Sequence, residues 1–175
     1  MNSIIENMKT RRSIRKFKGD MIPRDSIEQI IEAGLYAANG KGKQATKIIA
    51  VTNKELRDKI SKSNCEIGGW QQDFDPFYGA PVILIVLADA TWRNRVYDGS
   101  LVLGNMMNAA HALNIGSIWI HRAKEEFEMP EYKELLKELG IEGEWEGVGH
   151  CALGYVDGEI PKAAKRNEDR VYWVE

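Results

Sequence analysis

The stretch DGSLVLGNMMNAAHALNIGSIWIHRA, residues 98–123, decides how the rest of the chain reads. From 100 to 113 it has helical composition, with Leu101, Val102, Leu103, Met106, Met107, Ala109, Ala110 and Leu113 spread round the helix axis. A helix with no polar face is a buried one. Asn114 and Gly116 end it, and residues 117–120 form a short apolar strand. A buried helix running into a strand predicts a layered fold with helices packed on a sheet.

Working outward, residues 82–88 (VILIVLA) follow Pro81 as an unbroken apolar run, the pattern of a central strand covered on both faces. Residues 47–52 (KIIAVT) and 148–156 (VGHCALGYV) read as two further strands. Ile4, Ile5 and Met8 suggest a short opening helix. After Pro23, Ser26 and Gln29 have capping-box spacing, and Ile27, Ile30, Ile31 and Leu35 repeat at helical spacing until about Ala38. Asn53 caps a polar helix expected to run to about 61, and residues 64–78 read as a loop or a short irregular helix. Pro130 starts a helix that Gly140 closes, with Tyr132, Leu135, Leu136 and Leu139 inward. The fold class expected is α/β (α+β): a small mixed sheet flanked by helices, in one domain over residues 1–175. Its tail, 157–175, ends in the strand-like VYWV at 171–174. A wholly apolar helix beside so small a sheet predicts a second subunit covering part of it.

Composition narrows the function classes. With 43% hydrophobic and 29% charged residues the chain is an ordinary globular one, and its net charge of −2 argues against nucleic acid as the main partner. No apolar run approaches the roughly 18 residues of a membrane span, and the first ten residues lack the apolar core of a secretory signal. Two cysteines, Cys65 and Cys151, with no C-x-x-C pair, fit reduced thiols in a cytoplasm. His111, His121 and His150 are scattered without metal-ligand spacing, and phosphate-loop, nucleophile-elbow and G-x-G-x-x-G motifs are missing, so no metal is expected.

Three segments carry possible chemistry. In residues 10–17, TRRSIRKF, the guanidiniums of Arg11, Arg12 and Arg15 and the hydroxyl of Ser13 suit a phosphate monoester, because arginine presents forked donors and serine a neutral one. A solvated basic turn fits the same residues. In residues 37–44, AANGKGKQ, glycines allow close approach to a planar ligand, and Gln44 can donate and accept along its edge. Taken alone, these residues read better as an ordinary helix-to-strand loop with a C-cap glycine. In residues 116–122, GSIWIHR, Trp119 could wall an aromatic ligand while His121 and Arg122 face its polar edge; a core tryptophan with two surface cations fits the same residues.

In order, RRSIRKF, AANGKGKQ, PFYGAP (76–81 within DPFYGAP), the 98–123 block and LGY (153–155) resemble the nitroreductase family over nearly the whole chain. The resemblance implies a three-layer homodimer that binds FMN between its subunits. It places the phosphate on Arg11, Arg12, Ser13 and Arg15, and the turn residues Asn39 and Gly40, with Gln44 nearby, against the flavin from the partner. It sets Trp119, Ile120, His121 and Arg122 against the isoalloxazine ring, and closes Arg166, beside Lys165, on the phosphate. It also lets the tail embrace the other subunit. The activity implied is hydride transfer from NAD(P)H through FMN to a flat acceptor such as a nitroaromatic or quinone, with no nucleic acid or membrane partner. No catalytic side chain is required; His121 is the nearest candidate, though the backbone around it can do the same work. A non-catalytic flavin carrier and a flavin-modifying relative share the fold and stay open. The chain departs from many members at Gly42, where they carry asparagine, and in leaving little room for an insertion over the flavin.

Overall fold

A computed structural model describes residues 2–175. Helix α1 (Ser3–Thr10) is capped by the Asn2 side chain, which accepts from the Ile4 and Ile5 amides. Helix α2 (Arg24–Leu35) begins directly after Pro23, so Ser26 sits inside the first turn and the expected capping box does not form. The chain then makes a short 3₁₀ turn at Gly40–Gly42 and enters β1 (Thr46–Val51). Asn53 does cap α3 (Lys54–Gly68), its side chain accepting from the Leu56 amide. This helix runs well past 61 because Ile60 and Cys65 continue the buried stripe until Gly69 stops it at φ 67°.

The remaining elements are β2 (Val82–Asp89), α4 (Arg95–Ala112), β3 (Gly116–Ile120), α5 (Ala123–Glu128), α6 (Pro130–Glu138) and β4 (Trp145–Gly154). Helix α5 is too short, at six residues, to show a period, so sequence reading passes over it.

The sheet order is β1-β2-β4-β3. All pairs of named strands are antiparallel, which corrects the expectation of a mixed sheet; the one parallel contact is an isolated bridge between Ser13 and Ser117. Short apolar strands read as a mixed set because strand direction depends on how the connections cross, which local composition does not record.

Side chains alternate across a strand, and here the alternation sorts the core. Ile83, Ile85 and Leu87 join Ile60, Phe127, Tyr132 and Leu136 on one face of the sheet. Val82, Leu84 and Val86 join Ile27, Ile30, Val102, Leu103 and Met106 on the other. Residues 82–88 are consequently all at 0% exposure. At about 1.5–3 kcal/mol per fully buried aliphatic side chain, this strand is the largest single apolar contribution in the sheet.

Helix α4 departs from its apolar reading. Val102, Leu103, Met106 and Ala110 are buried, but Leu101 is 49% and Tyr97 73% exposed. One flank of a helix that is apolar nearly all round therefore faces outward in the single chain. The tail after Asp157 is exposed throughout, and residues 171–174 form no strand here.

Candidate functional site

Residues 10–17 leave α1 and run along the outer edge of β3, where the Ile14 amide donates to Ser117 O at 3.1 Å. The two adjacent arginines then diverge. Arg12 folds back: its Nη1 donates to Lys9 O and Arg11 O, both at 2.7 Å, capping the end of α1. Arg11 turns inward, and its Nη1 is buried without a hydrogen-bond partner among the described residues. Burial, reinforced by the neighbouring Arg12, pushes the Arg11 guanidinium below its ordinary value. Arg15 is exposed.

Arg11 lines two adjoining cavities. One, of about 110 Å³, is shared with His111, Ser117 and Val156, and the Ser117 hydroxyl in it is also buried and unpartnered. The other, of about 740 Å³, brings Arg11, Arg12 and Ser13 together with Ala163, Ala164 and Arg166 of the tail. Lys165 points elsewhere, paired with Glu168 at 3.1 Å. His111, at the last turn of α4, contacts Thr10 Oγ1 through Nε2 at 2.9 Å. The threonine hydroxyl donates to Glu6 O at 2.8 Å, so the histidine Nε2 must carry the hydrogen. Burial and the charges of Arg11 and Arg12 hold His111 below the usual histidine range.

Further along the same edge, Trp119 and His121 share a face with ring centroids 5.7 Å apart. The indole packs closely on Gly149: a Cβ there would meet Trp119 Nε1 at 2.4 Å. Ile120 points into the core at 8% exposure, so only its backbone can meet a ligand. Arg122 caps α5 at φ 79° and pairs with Glu125 at 2.9 Å, while His121 is exposed.

The glycine turn stands apart. Gly40 N donates to Asp98 Oδ1 at 3.0 Å, and Trp92 Nε1 donates to Asp98 Oδ2 at 2.8 Å. A Cβ on Gly40 would lie 2.7 Å from Asn94 Nδ2 and 2.9 Å from Trp92, so the glycine is required by packing inside the chain. Asn39 Oδ1 accepts from the Gln44 amide at 2.9 Å, and Gln44 itself, at φ 49°, is exposed. Asp98 and His111 are thirteen positions apart on α4, so the turn and the arginine stretch they hold are about 20 Å apart along the helix at 1.5 Å per residue. They also lie beside opposite edge strands, β1 and β3. One chain thus unites Arg11, Arg12, Ser13 and Arg166, aligns Trp119 and His121 on the same edge, and leaves Asn39, Gly40 and Gln44 at the far corner.

A larger groove of about 840 Å³ between α5, α6 and the start of β4 gathers none of these residues and mixes Lys124, Lys133 and Lys137 with glutamates. Among the described residues no group of His, Cys, Asp and Glu is arranged to hold a metal ion, and no helix is long and apolar enough to cross a membrane.

Asp98, Gly149 and the buried trio Asn64, Glu126 and His150 escape sequence reading. The glycine alternation in GVGHC was the one available signal, since glycines inside a strand often mark close approach.

The nitroreductase family model matches residues 8–67 and 70–155, and the chain belongs to that family. It is 37% identical over 131 residues to a NADPH-flavin oxidoreductase of Vibrio harveyi, covering 69% of this chain and 54% of that protein. It is 28% identical over 171 residues to an FMN reductase [NAD(P)H] of Bacillus subtilis, covering 81% of this chain and 66% of that one. The match therefore spans roughly half to two thirds of these longer relatives. Over full length it superposes on a crystal structure of a nitroreductase with bound FMN from Bacteroides fragilis, with TM-score 0.88, 28% identity and 100% of both chains covered.

Proposed function

We propose that this chain is an FMN-dependent oxidoreductase that takes hydride from NAD(P)H and passes it to a flat acceptor, a nitroaromatic or a quinone, and that it works as a homodimer. The observation that carries the reading is Arg11 Nη1, buried with no hydrogen-bond partner among the described residues, as is the Ser117 hydroxyl, at a cavity system that also reaches Arg12, Ser13 and Arg166. A buried donor with no acceptor is costly, and a phosphate monoester supplies the missing acceptors. The donor set therefore fits FMN, which the Bacteroides fragilis neighbour contains. FMN bound there supplies the hydride chemistry.

The side chains bind and orient. Arg11 and Ser13 hold the phosphate, Arg166 closes over it from the tail, and Trp119 offers a flat wall fixed on Gly149. Arg12 contributes charge while capping α1. The Asn39–Gln44 turn is about 20 Å away along α4, so its part in the site is played by the turn of a second copy. Tyr97 and Leu101 on the bare flank of α4, and Leu35 and Tyr36 at the end of α2, give that copy an apolar face to cover. The buried free thiols Cys65 and Cys151, the latter pushed up to about 12 by desolvation, suit a reducing compartment such as the cytoplasm.

Titration of the flavin-free protein with FMN tests the reading. Saturable uptake, a yellow complex, and NAD(P)H consumption with a quinone that depends on the added FMN are expected. A protein that stays colourless in excess FMN overturns it.

A further inference from the structure

Strand β3 ends at Ile120, and the two peptide groups that follow belong to the segment expected against the flavin ring. Both of their carbonyls are held from inside the protein. Asn64, on α3 and at 0% exposure, donates from Nδ2 to His121 O at 2.8 Å and to Glu126 Oε1 at 2.9 Å. Glu126, on α5, places Oε2 2.7 Å from His150 Nε2 on β4. His150 Nδ1 lies 3.3 Å from Ile120 O. Three buried side chains from three elements thus connect one carbonyl to the next, and Phe77 packs edge-on against the imidazole at 5.3 Å between centroids.

The hydrogen positions follow from the partners. A carbonyl only accepts, so the amide nitrogen of Asn64 must face His121 O, and His150 Nδ1 must carry a hydrogen. Nε2 and Oε2 lie 2.7 Å apart in a buried ion-pair contact that lacks hydrogen-bond geometry. A buried ion pair is weak evidence for stability, because well-packed apolar residues often serve the core as well. What the trio adds is direction. A trans peptide points its N–H opposite to its C=O, and the described chain has no cis bonds. Holding Ile120 O turns the His121 N–H toward the open edge of β3, and holding His121 O turns the Arg122 N–H away from α3. The conformation being held is a strained one, since Arg122 at φ 79° lies in the left-handed region that a non-glycine residue rarely adopts.

We propose that Asn64, Glu126 and His150 are positioning residues that fix the backbone donors of His121 and Arg122 toward the flavin ring, and so favour its more electron-rich state. This rests on the FMN reading above. Donors held in advance at the place where negative charge builds need no reorganisation when it arrives.

The test compares Asn64→Leu, Asn64→Ser and Glu126→Gln with the wild type. Hydrogen exchange at His121 and Arg122 in the FMN-bound protein is one readout, and FMN affinity and midpoint potential are the others. Both Asn64 variants should raise exchange at the two amides at least tenfold and change the affinity for oxidised FMN less than threefold. They should lower the potential by about 30 mV, which for a two-electron couple equals a tenfold selective loss for the reduced form. Glu126→Gln keeps the acceptor for Asn64 and should stay near wild type in all three. If the leucine variant does not fold, Asn64→Ser, which is smaller than the native residue, decides. Unchanged exchange means that Asn64 does not hold the carbonyl. Faster exchange with unchanged potential means that the trio is structural only, and either result overturns the proposal. A wild type that binds no FMN is seen before any variant is made and defeats the parent reading instead.

Discussion

The two ends of α4 treat their polar groups in opposite ways. At the N-terminal end Asp98 satisfies both Gly40 N and Trp92 Nε1, and Asn39 satisfies the Gln44 amide, so the turn is complete within one chain. At the C-terminal end Arg11 Nη1 and Ser117 Oγ are buried and unpartnered. The first region contributes a rigid shape, and the second contributes unfilled donors. A ligand gains most of its polar binding energy where donors are unfilled, and is merely placed where they are filled. In the proposed dimer each flavin meets one region of each kind, from different subunits.

Deleting residues 157–175 should break this arrangement most completely. The tail is exposed in the single chain, so the truncated protein should still fold, with the melting temperature of its flavin-free form lowered by the loss of the dimer. It should nevertheless run as a monomer and lose FMN affinity by more than about a hundredfold, because the tail guanidinium and the second copy's turn go together. Sedimentation and FMN titration of the same sample check both, and a truncated protein that stays dimeric and yellow removes the tail from the site.

Arg11→Ala sharpens the contrast next. Losing one charge-assisted contact should cost about 1.5–3 kcal/mol of FMN binding, roughly ten- to a hundredfold. The flavin-free protein should be no less stable, since a buried donor without an acceptor among the described residues, Arg11 Nη1, has been removed. Arg12→Ala should do the reverse in part: a smaller change in FMN affinity, with loss of the cap on α1. Thermal melts with and without FMN separate the two, and equal effects would mean that the phosphate does not distinguish them.

Asp98→Ala probes the satisfied end. Two hydrogen bonds to a buried carboxylate are lost, so folding stability should fall by about 2–4 kcal/mol, with a weaker effect on FMN affinity than Arg11→Ala produces. Denaturant unfolding measures the first and titration the second. A variant of wild-type stability would show that the turn is held by other contacts.

The smallest effect concerns pH. Folding lowers the His111 pKa, so as pH falls through the ordinary value near 6.5 the unfolded chain takes up the proton first. Stability from this group is therefore complete above about 6.5 and declines as pH falls toward the lower folded value. In His111→Gln that part of the acid-side decline should disappear, which melting curves between pH 5 and 7.5 can detect. An unchanged slope would place the proton uptake elsewhere.

Much of this molecule follows from local sequence. The apolar run at 82–88 demanded a strand covered on both faces, Asn53 demanded a helix start, and the crowding of Arg11, Arg12, Ser13 and Arg15 demanded an anionic partner or a solvated turn, because periodicity, capping and charge density act between near neighbours. The tertiary structure alone decided which arginine caps α1 and which is left unpartnered, that Gly40 is required by Trp92 and Asn94, and that only one flank of α4 is covered. It alone joined Asn64 to Glu126 and Gly40 to Asp98, across 62 and 58 positions of sequence. Contacts at that range are set by which faces the sheet order brings together, and that order depends on the packing of the whole chain, which no short window of sequence encodes.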